Sequence, residues 1–433
     1  MSDFLPTKPY KGTRDFYPED MHLQKWMFNT LRQSIETFGY EEYDGPMLES
    51  FELYAAKTGE EIVENQLYWF TDRGDRKLAL RPEMTPTMAR MVAARANELP
   101  KPIRWYSIPN LWRYERPQRG RLREHWQLNV DLLGGDPLLA DYEIIQLTQK
   151  ILKDLGGQGK AKTLINNRRL INYFFSEALT LDAPTALKAS KAVDARAKIG
   201  EEKYQIWLDE IGITQNQSQK IENFFNATFE EIKSEYPCEG TQELIQLFAL
   251  IENNENLSPF CQFDPKIMRG LDYYTGMIFE VYDQSPDNNR SMFGGGRYDN
   301  LVGLFGKESI SGVGFGMGDV TLKNFCETYK LFPDFGRTLD VYVTLTEESH
   351  KTYMHKVADL LRNLPSQPLK VATALTASKF GQQLKTADKL KAKFVAIIGE
   401  DEIQKQCVSL KNLLTGDQTQ VKLEDLEKVN FNL

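Results

Sequence analysis

Residues 112–132 read WRYERPQRGRLREHWQLNVDL. The last eight, His125 to Leu132, alternate strictly between polar and apolar. A period of two puts His125, Gln127, Asn129 and Asp131 on one face of a strand and Trp126, Leu128, Val130 and Leu132 on the other. Such a strand floors a polar site on one side and packs against a core on the other. Upstream, RWYSIPNLWRY (104–114) is aromatic-rich and strand-like, and Pro117 and Gly120 in the intervening ERPQRGRLRE are turn formers, so the stretch reads as a long hairpin. Five of the sixteen residues from 112 to 127 are arginine, in a chain with 61 Asp and Glu against 53 Lys and Arg. A net charge of −8 gives no global attraction for a polyanion, so any anion is met by a local patch of this kind. A solvated basic hairpin is the alternative reading.

At 433 residues the chain is long enough for two or three domains. Its balance of 41% hydrophobic and 26% charged residues fits a soluble globular protein, without any run near the roughly 18 apolar residues of a membrane span. The opening MSDFLPTKPYKGTRDF has no apolar or Arg/Ser-rich targeting character, which points to the cytoplasm and to no membrane partner. Cys238, Cys261, Cys326 and Cys407 are scattered and read as free thiols. The pair His350 and His355 reads as a solvated helix face.

Along the chain, Leu23, Met27, Leu31, Ser34, Ile35 and Phe38 mark an amphipathic helix over 20–39 closed by Gly39. Gly45-Pro46 interrupts an extended segment, and Asp136-Pro137 starts a helix running to about Leu155. Residues 170–258 are helical in composition and carry no catalytic constellation. Strand character returns in MIFEVY (277–282), followed by FGGGRYDNLVG and GVGFGMGDVTL. After PDFGRT (333–338), the short strands in LDVYVTL, KVATAL and KFVAIIG alternate with helical segments, which predicts a small α/β domain with a largely parallel sheet.

The glycine-rich runs match neither GxGxxG nor a P-loop. Glycines stand instead at 312, 314, 316 and 318, so one face of a strand there lacks side chains, and a flat ligand or another backbone can lie on it. RGLDYYTGMIFE (269–280) offers a guanidinium and two phenols beside a strand. ALRPEMTPTMAR (79–90) places Glu83 and Thr85 between prolines in an extended turn, a rigid pairing suited to an ammonium group.

Together, KGTRDFYPEDM, RPEMT, WRYERPQRGRLREHWQ, RGLDYYTG and GGGRYDNLVG resemble the histidyl-tRNA synthetases, class II aminoacyl-tRNA synthetases, over nearly the full chain. LKTADKLKAKFVAIIGEDEI is similar to the family's anticodon-binding domain. The resemblance implies an α+β fold: a six-stranded antiparallel catalytic sheet over 1–169 and 259–330, a helical insertion over 170–258, and an α/β anticodon-binding domain over 331–433. It implies ATP-dependent ligation of L-histidine to tRNA(His) through a histidyl-adenylate, with Mg²⁺ to offset charge on the leaving pyrophosphate, and a homodimer joined near YEEYDGPMLES.

The same resemblance assigns residues. Arg113 and Arg269 would be catalytic, flanking the α-phosphate and the amino acid carboxylate. Glu115 would meet the adenine amino group, His125 would stack on the base where the family often has Phe, and Arg121 would reach the outer phosphates. Glu83, Thr85 and Gln127 would hold the ammonium group. Asp131, Tyr274 and Tyr298 would hold the imidazole, with Tyr273 in the same pocket; Asp131 is one methylene shorter than the usual Glu. Arg116, Gln118 and Arg123 would touch the acceptor end of tRNA, and Lys379, Lys385, Lys389 and Lys391 the anticodon end. One departure stands out: Val320 and Thr321 occupy positions where the family's third motif has Glu and Arg. That departure keeps two rivals in view, a catalytically silent histidine-sensing regulatory paralogue and a tRNA-binding module with a vestigial pocket.

Overall fold

A computed structural model of the chain describes residues 5–55, 66–268, 273–286, 288, 290–365 and 367–431. Two compact units divide it, Met1–Phe332 and Pro333–Leu433. In the first, the strands are β1 (Glu41–Glu42), β2 (Leu48–Ser50), β3 (Trp69–Thr71), β4 (Lys77–Leu80), β5 (Ile103–Ser107), β6 (Asn110–Trp112), β7 (Glu124–Leu133), β8 (Ala161–Asn167), β9 (Cys261–Phe263), β10 (Met277–Asp283), β11 (Ser291–Tyr298) and β12 (Gly312–Gly318). Six form an unbroken antiparallel run in the order β5-β7-β12-β11-β10-β8. The sheet extends past those six, with β1 added parallel to β5 at one edge and β9 parallel to β8 at the other. β6 pairs with the first residues of β7, and Pro109, which has no N–H to offer a ladder, separates it from β5.

Alternation along β7 has the expected result. Leu128, Val130 and Leu132 are buried in the core, while His125, Gln127, Asn129 and Asp131 line an open cleft. Beneath the sheet lies the helix Pro137–Asp154, which packs against β12 and against the helix Pro18–Glu36. Its start is as expected: Asp136 accepts from the Leu139 N–H at 3.0 Å and Pro137 takes the first helical position, where a missing N–H costs nothing. Residues 168–252 are helical, and their core is continuous with that of the sheet: Phe174 stacks on Phe224 at 3.9 Å, and Leu244, Leu247 and Ile251 join the same buried cluster.

The bare face of β12 is occupied by its neighbours. A Cβ on Gly312 would lie 2.5 Å from the Tyr298 ring, one on Gly314 2.7 Å from Asp131 Oδ1, and one on Gly316 2.5 Å from Gln127 Nε2. Backbone also closes in, since the Val130 carbonyl would be 2.4 Å from a Gly314 Cβ.

Three sequence expectations need correction. Thr85 does not sit in an extended turn; it opens the helix Thr85–Ala94, because Pro86 falls in the first turn, where its ring is tolerated. His350 is not on a solvated face: it is 4% exposed, with Nε2 3.4 Å from Glu400. In the second unit, β14 (Val371–Thr373), β13 (Leu339–Val343) and β15 (Ala392–Ile397) are parallel in that order, but β16 (Cys407–Asn412) and β17 (Gln418–Lys422) continue the sheet antiparallel, so it is mixed. A turn at Thr415-Gly416-Asp417, with Gly416 at φ +83°, folds β17 back on β16.

One buried ion pair ties β11 to the helix below. Arg297, 3% exposed, donates to Asp141 at 2.6 Å, to the Pro137 carbonyl at 2.7 Å and to Ser311 Oγ at 2.6 Å. Arg297→Met is expected to destabilise the protein by about 3–5 kcal/mol, because it strands a buried carboxylate; Arg297→Met with Asp141→Leu should recover most of that loss. Chemical denaturation of the single and double variants measures both.

Candidate active site

The cleft is built on three supports. The first is the arginine hairpin, whose base is held by the N-terminal segment. Arg123 and Glu124 N–H groups both reach the Gly12 carbonyl, at 2.9 and 3.2 Å. Gly12, at φ +91°, has Arg123 carbons where a Cβ would stand, so only glycine lets the two chains approach. The Arg123 guanidinium lies over Tyr114 at 4.1 Å and over Tyr10 at 5.3 Å, and donates to the Tyr10 hydroxyl at 2.5 Å and the Glu115 carbonyl at 3.1 Å. A residue expected to meet tRNA is therefore committed within the protein. Arg116 and Gln118 are exposed.

The second support joins the strand floor to the helix that follows β12. Asp319 opens the helix Asp319–Thr328, accepts from the Trp126 N–H at 3.0 Å and pairs with Arg14 at 2.8 Å. Sequence reading missed Tyr10, Arg14 and Asp319. Arg14 lies in KGTRDFYPEDM and Asp319 in GVGFGMGDVTL, but neither stretch assigned them a role, and Tyr10 carried no signal.

The third support is the RPEMT turn. Arg81, 4% exposed, donates to Asp44 and to the Gly45 carbonyl at 2.7 Å each, and to the Asn110 carbonyl at 3.0 Å. The hairpin is fastened to the same turn, since Arg113 Nε donates to the Pro82 carbonyl at 2.8 Å. Glu83, 5% exposed, and Thr85 line the cleft beside Gln127, whose amide donates to Asn129 at 2.6 Å.

At one end of the floor Asp131 is 3% exposed. Tyr298 donates its hydroxyl to Asp131 Oδ1, while Oδ2 is buried and finds no partner among the described residues. Burial pushes the carboxyl up to about 7; the Tyr298 bond opposes that rise and the nearby Glu83 adds to it. Tyr273 and Tyr274 stand 4.9 Å apart, and Tyr273 meets Tyr298 edge to face at 6.0 Å. Arg269 lies outside the described residues.

At the other end, His125 is held neutral. Burial drives its imidazole down to about 3, helped by the Arg113 and Arg14 guanidiniums and opposed by a bond to Gln127. Glu115 faces Arg121 at 3.5 Å. Thr321 turns its hydroxyl to the Met292 and Gly318 carbonyls at 2.8 and 3.1 Å, so it brings no charge to the cleft. A buried carboxylate with a spare acceptor, at the far end of a strand from a cluster of arginines, suits a small cationic or N–H-bearing ligand joined to a phosphate-bearing one.

Residues 12–320 match the family model described as histidyl-tRNA synthetase, and residues 340–430 one described as anticodon binding domain. The chain belongs to the histidyl-tRNA synthetase family. A histidine–tRNA ligase of Leptospira biflexa is 44% identical over 434 residues, covering 99% of this chain and 98% of that protein. One from Haloarcula marismortui is 36% identical over 421 residues, 95% of each. The crystal structure of histidyl-tRNA synthetase from Nostoc sp. PCC 7120 matches with a TM-score of 0.79 at 26% identity, over 98% of this chain and 99% of that one.

For a histidyl-tRNA synthetase, the Asp131 pocket carries a stability cost. A carboxyl near pH 7 when folded and near 4 when unfolded holds its proton more tightly in the native state, so native stability falls as pH rises from about 4 to 7. Asp131→Asn, always neutral, escapes this. Its melting temperature minus that of the unsubstituted protein should increase between pH 5 and pH 8, by the equivalent of a few kcal/mol at about 1.4 kcal/mol per pH unit. A difference that stays flat across that range in thermal melts would contradict the assignment.

Proposed function

We propose that the chain ligates L-histidine to tRNA(His) in two steps within this cleft. Histidine's carboxylate oxygen attacks the α-phosphorus of ATP, the bond to the bridging oxygen breaks, and pyrophosphate leaves with the electron pair. The terminal ribose hydroxyl of tRNA then attacks the histidyl carbonyl and AMP departs. The observation that carries this reading is the buried, half-satisfied carboxylate of Asp131 under the Tyr298 hydroxyl. Its free oxygen accepts an imidazole N–H, and an amino acid without that donor leaves it unpaired, which polar sites turn into large discrimination.

The remaining roles are those the resemblance implies, supported by the gathering of these residues in one cleft. Glu83, Thr85 and Gln127 bind the ammonium group, and Tyr273 and Tyr274 close the imidazole pocket. Arg113, whose Nε is fixed to Pro82, aims its guanidinium at the α-phosphate together with Arg269, where paired N–H groups meet charge that grows in the transition state. Glu115 meets the adenine amino group, with Arg121 moving from Glu115 to phosphate. His125 presents an uncharged ring to the base, a fit for stacking that an imidazolium beside two arginines would spoil. Among the described residues no cluster of acidic, histidine or cysteine side chains forms a metal cage. Mg²⁺, which favours phosphate and water oxygens, thus enters as part of MgATP.

Arg116 and Gln118 on the exposed hairpin turn reach the acceptor end, and the exposed Lys379, Lys385, Lys389 and Lys391 the anticodon end, so tRNA binding weakens with added salt. The three-stranded sheet β2-β4-β3 presents Met47, Leu48, Trp69 and Phe70, each 42–52% exposed, as an apolar patch that a second copy of the chain covers. No helix among the described residues is long and apolar enough to cross a membrane.

The test is histidine-dependent exchange of labelled pyrophosphate into ATP. The unsubstituted protein should exchange; Arg113→Ala should lose about a hundredfold or more in turnover, and Asp131→Asn should raise the KM for histidine about a hundredfold while sparing that for ATP. Histidine binding without any exchange would instead favour the regulatory rival.

A further inference from the structure

The outer end of the cleft holds two guanidiniums that the assignments above leave unused. Arg119 sits on the hairpin turn and Arg290 just before β11. They are tied across the cleft to each other's loops: Arg290 Nη2 donates to Gln118 Oε1 at 3.2 Å, and Arg119 Nη2 to Asn288 Oδ1 at 3.1 Å. Asn288 is itself held, donating to Asp283 at 2.5 Å and to Thr328 Oγ1 at 3.2 Å. Both arginines line the cleft and are exposed.

Their partners set them apart. Arg121 faces Glu115 at 3.5 Å, and Arg196, farther along the cleft wall, pairs with Glu201 at 2.8 Å and Glu222 at 2.5 Å. Arg119 and Arg290 are held only by neutral amides and make no ion pair with a carboxylate among the described residues. Two uncompensated positive charges converging from separate loops repel each other until an anion arrives.

A hydrogen bond locates that anion: Thr321 donates its hydroxyl to the carbonyl of Met292, two residues from Arg290, at 2.8 Å. From the opposite wall Gly120 approaches the same point, a Cβ there lying 3.3 Å from Thr321 Cγ2. Asp131 is opposite Gly314, and the four steps from Gly314 to Gly318 span about 13 Å of strand. The two arginines thus stand at the end of the cleft remote from the imidazole pocket.

We propose that Arg119 and Arg290 bind the β- and γ-phosphates of ATP and hold pyrophosphate as it leaves, supplying from two loops the charge that Thr321 lacks. This rests on the ligase reading. When the bond to the α-phosphorus breaks, the electron pair goes to pyrophosphate, and guanidinium forks meet its oxygens with paired, charge-assisted hydrogen bonds. The neutral Gln118 and Asn288 acceptors position the forks at little cost to release.

Pyrophosphate exchange in the full chain tests this. Arg290→Ala and Arg119→Ala should each raise the KM for both ATP and pyrophosphate about tenfold, and the double variant about a hundredfold. The KM for histidine and the inhibition constant of AMP, which lacks the outer phosphates, should stay within twofold, and Arg290→Lys should restore part of the loss. The proposal is overturned if the alanine variants keep the normal KM for pyrophosphate, or if AMP inhibition weakens in parallel, the mark of a distorted cleft. No exchange in the unsubstituted protein would overturn the ligase reading itself, and this proposal with it.

Discussion

The cleft depends on a strand with one bare face. Every second residue of β12 is glycine, and that bare face lets Tyr298, Asp131 and Gln127 from the two flanking strands fold across it at distances no Cβ would permit. Without that space, the carboxylate of Asp131 could not lie flat beneath Tyr298, nor could the amide of Gln127 reach Asn129. The cleft floor is therefore made by three adjacent strands, with the middle one contributing backbone and absence. Glycine is a poor strand former, so the sheet accepts a weaker centre to gain a polar pocket within its own thickness.

The pocket also shows how one strand serves two chemistries. β7 carries a carboxyl poised near neutrality at Asp131 and, six residues earlier, an imidazole held uncharged at His125. Burial is the largest cause at both. It disfavours the charged form in each case, so it raises one group and lowers the other. Arg113 and Arg14 reinforce the effect on His125, whereas Asp131 has a phenol donor rather than a cation. The result is a floor that presents a hydrogen-bond acceptor at one end and an aromatic surface at the other.

Much of this was legible in local patterns. The alternation of 125–132 placed β7 and its cleft face, and Asp136-Pro137 marked a helix start to the residue. Local signals misled where a residue type has two uses: prolines around Glu83 suggested an extended turn, although the second one opens a helix. The resemblance implied six antiparallel strands but not their order, because β7 and β12 pair across nearly two hundred residues and nothing in their sequences states which neighbours which. The N-terminal clamp was hidden for the same reason. Tyr10 and Arg14 look ordinary until Arg123 and Asp319 are brought beside them. Arg269, central to the family's signature, lies outside the described residues, so its place is carried by the resemblance alone.

The Arg14–Asp319 pair spans 305 positions of sequence. During synthesis the segment around Arg14 therefore has no final partner until 305 further residues have been made. Closing so long a loop costs entropy that is repaid only when β7, β12 and the helix after it are already in place. The arginine hairpin rests on that same segment, and β12, at the centre of the sheet, ends at the residue before Asp319. The sheet and the clamp that steadies the hairpin therefore become available to the chain in the same stretch of synthesis, which ties the completion of the fold to the completion of the cleft.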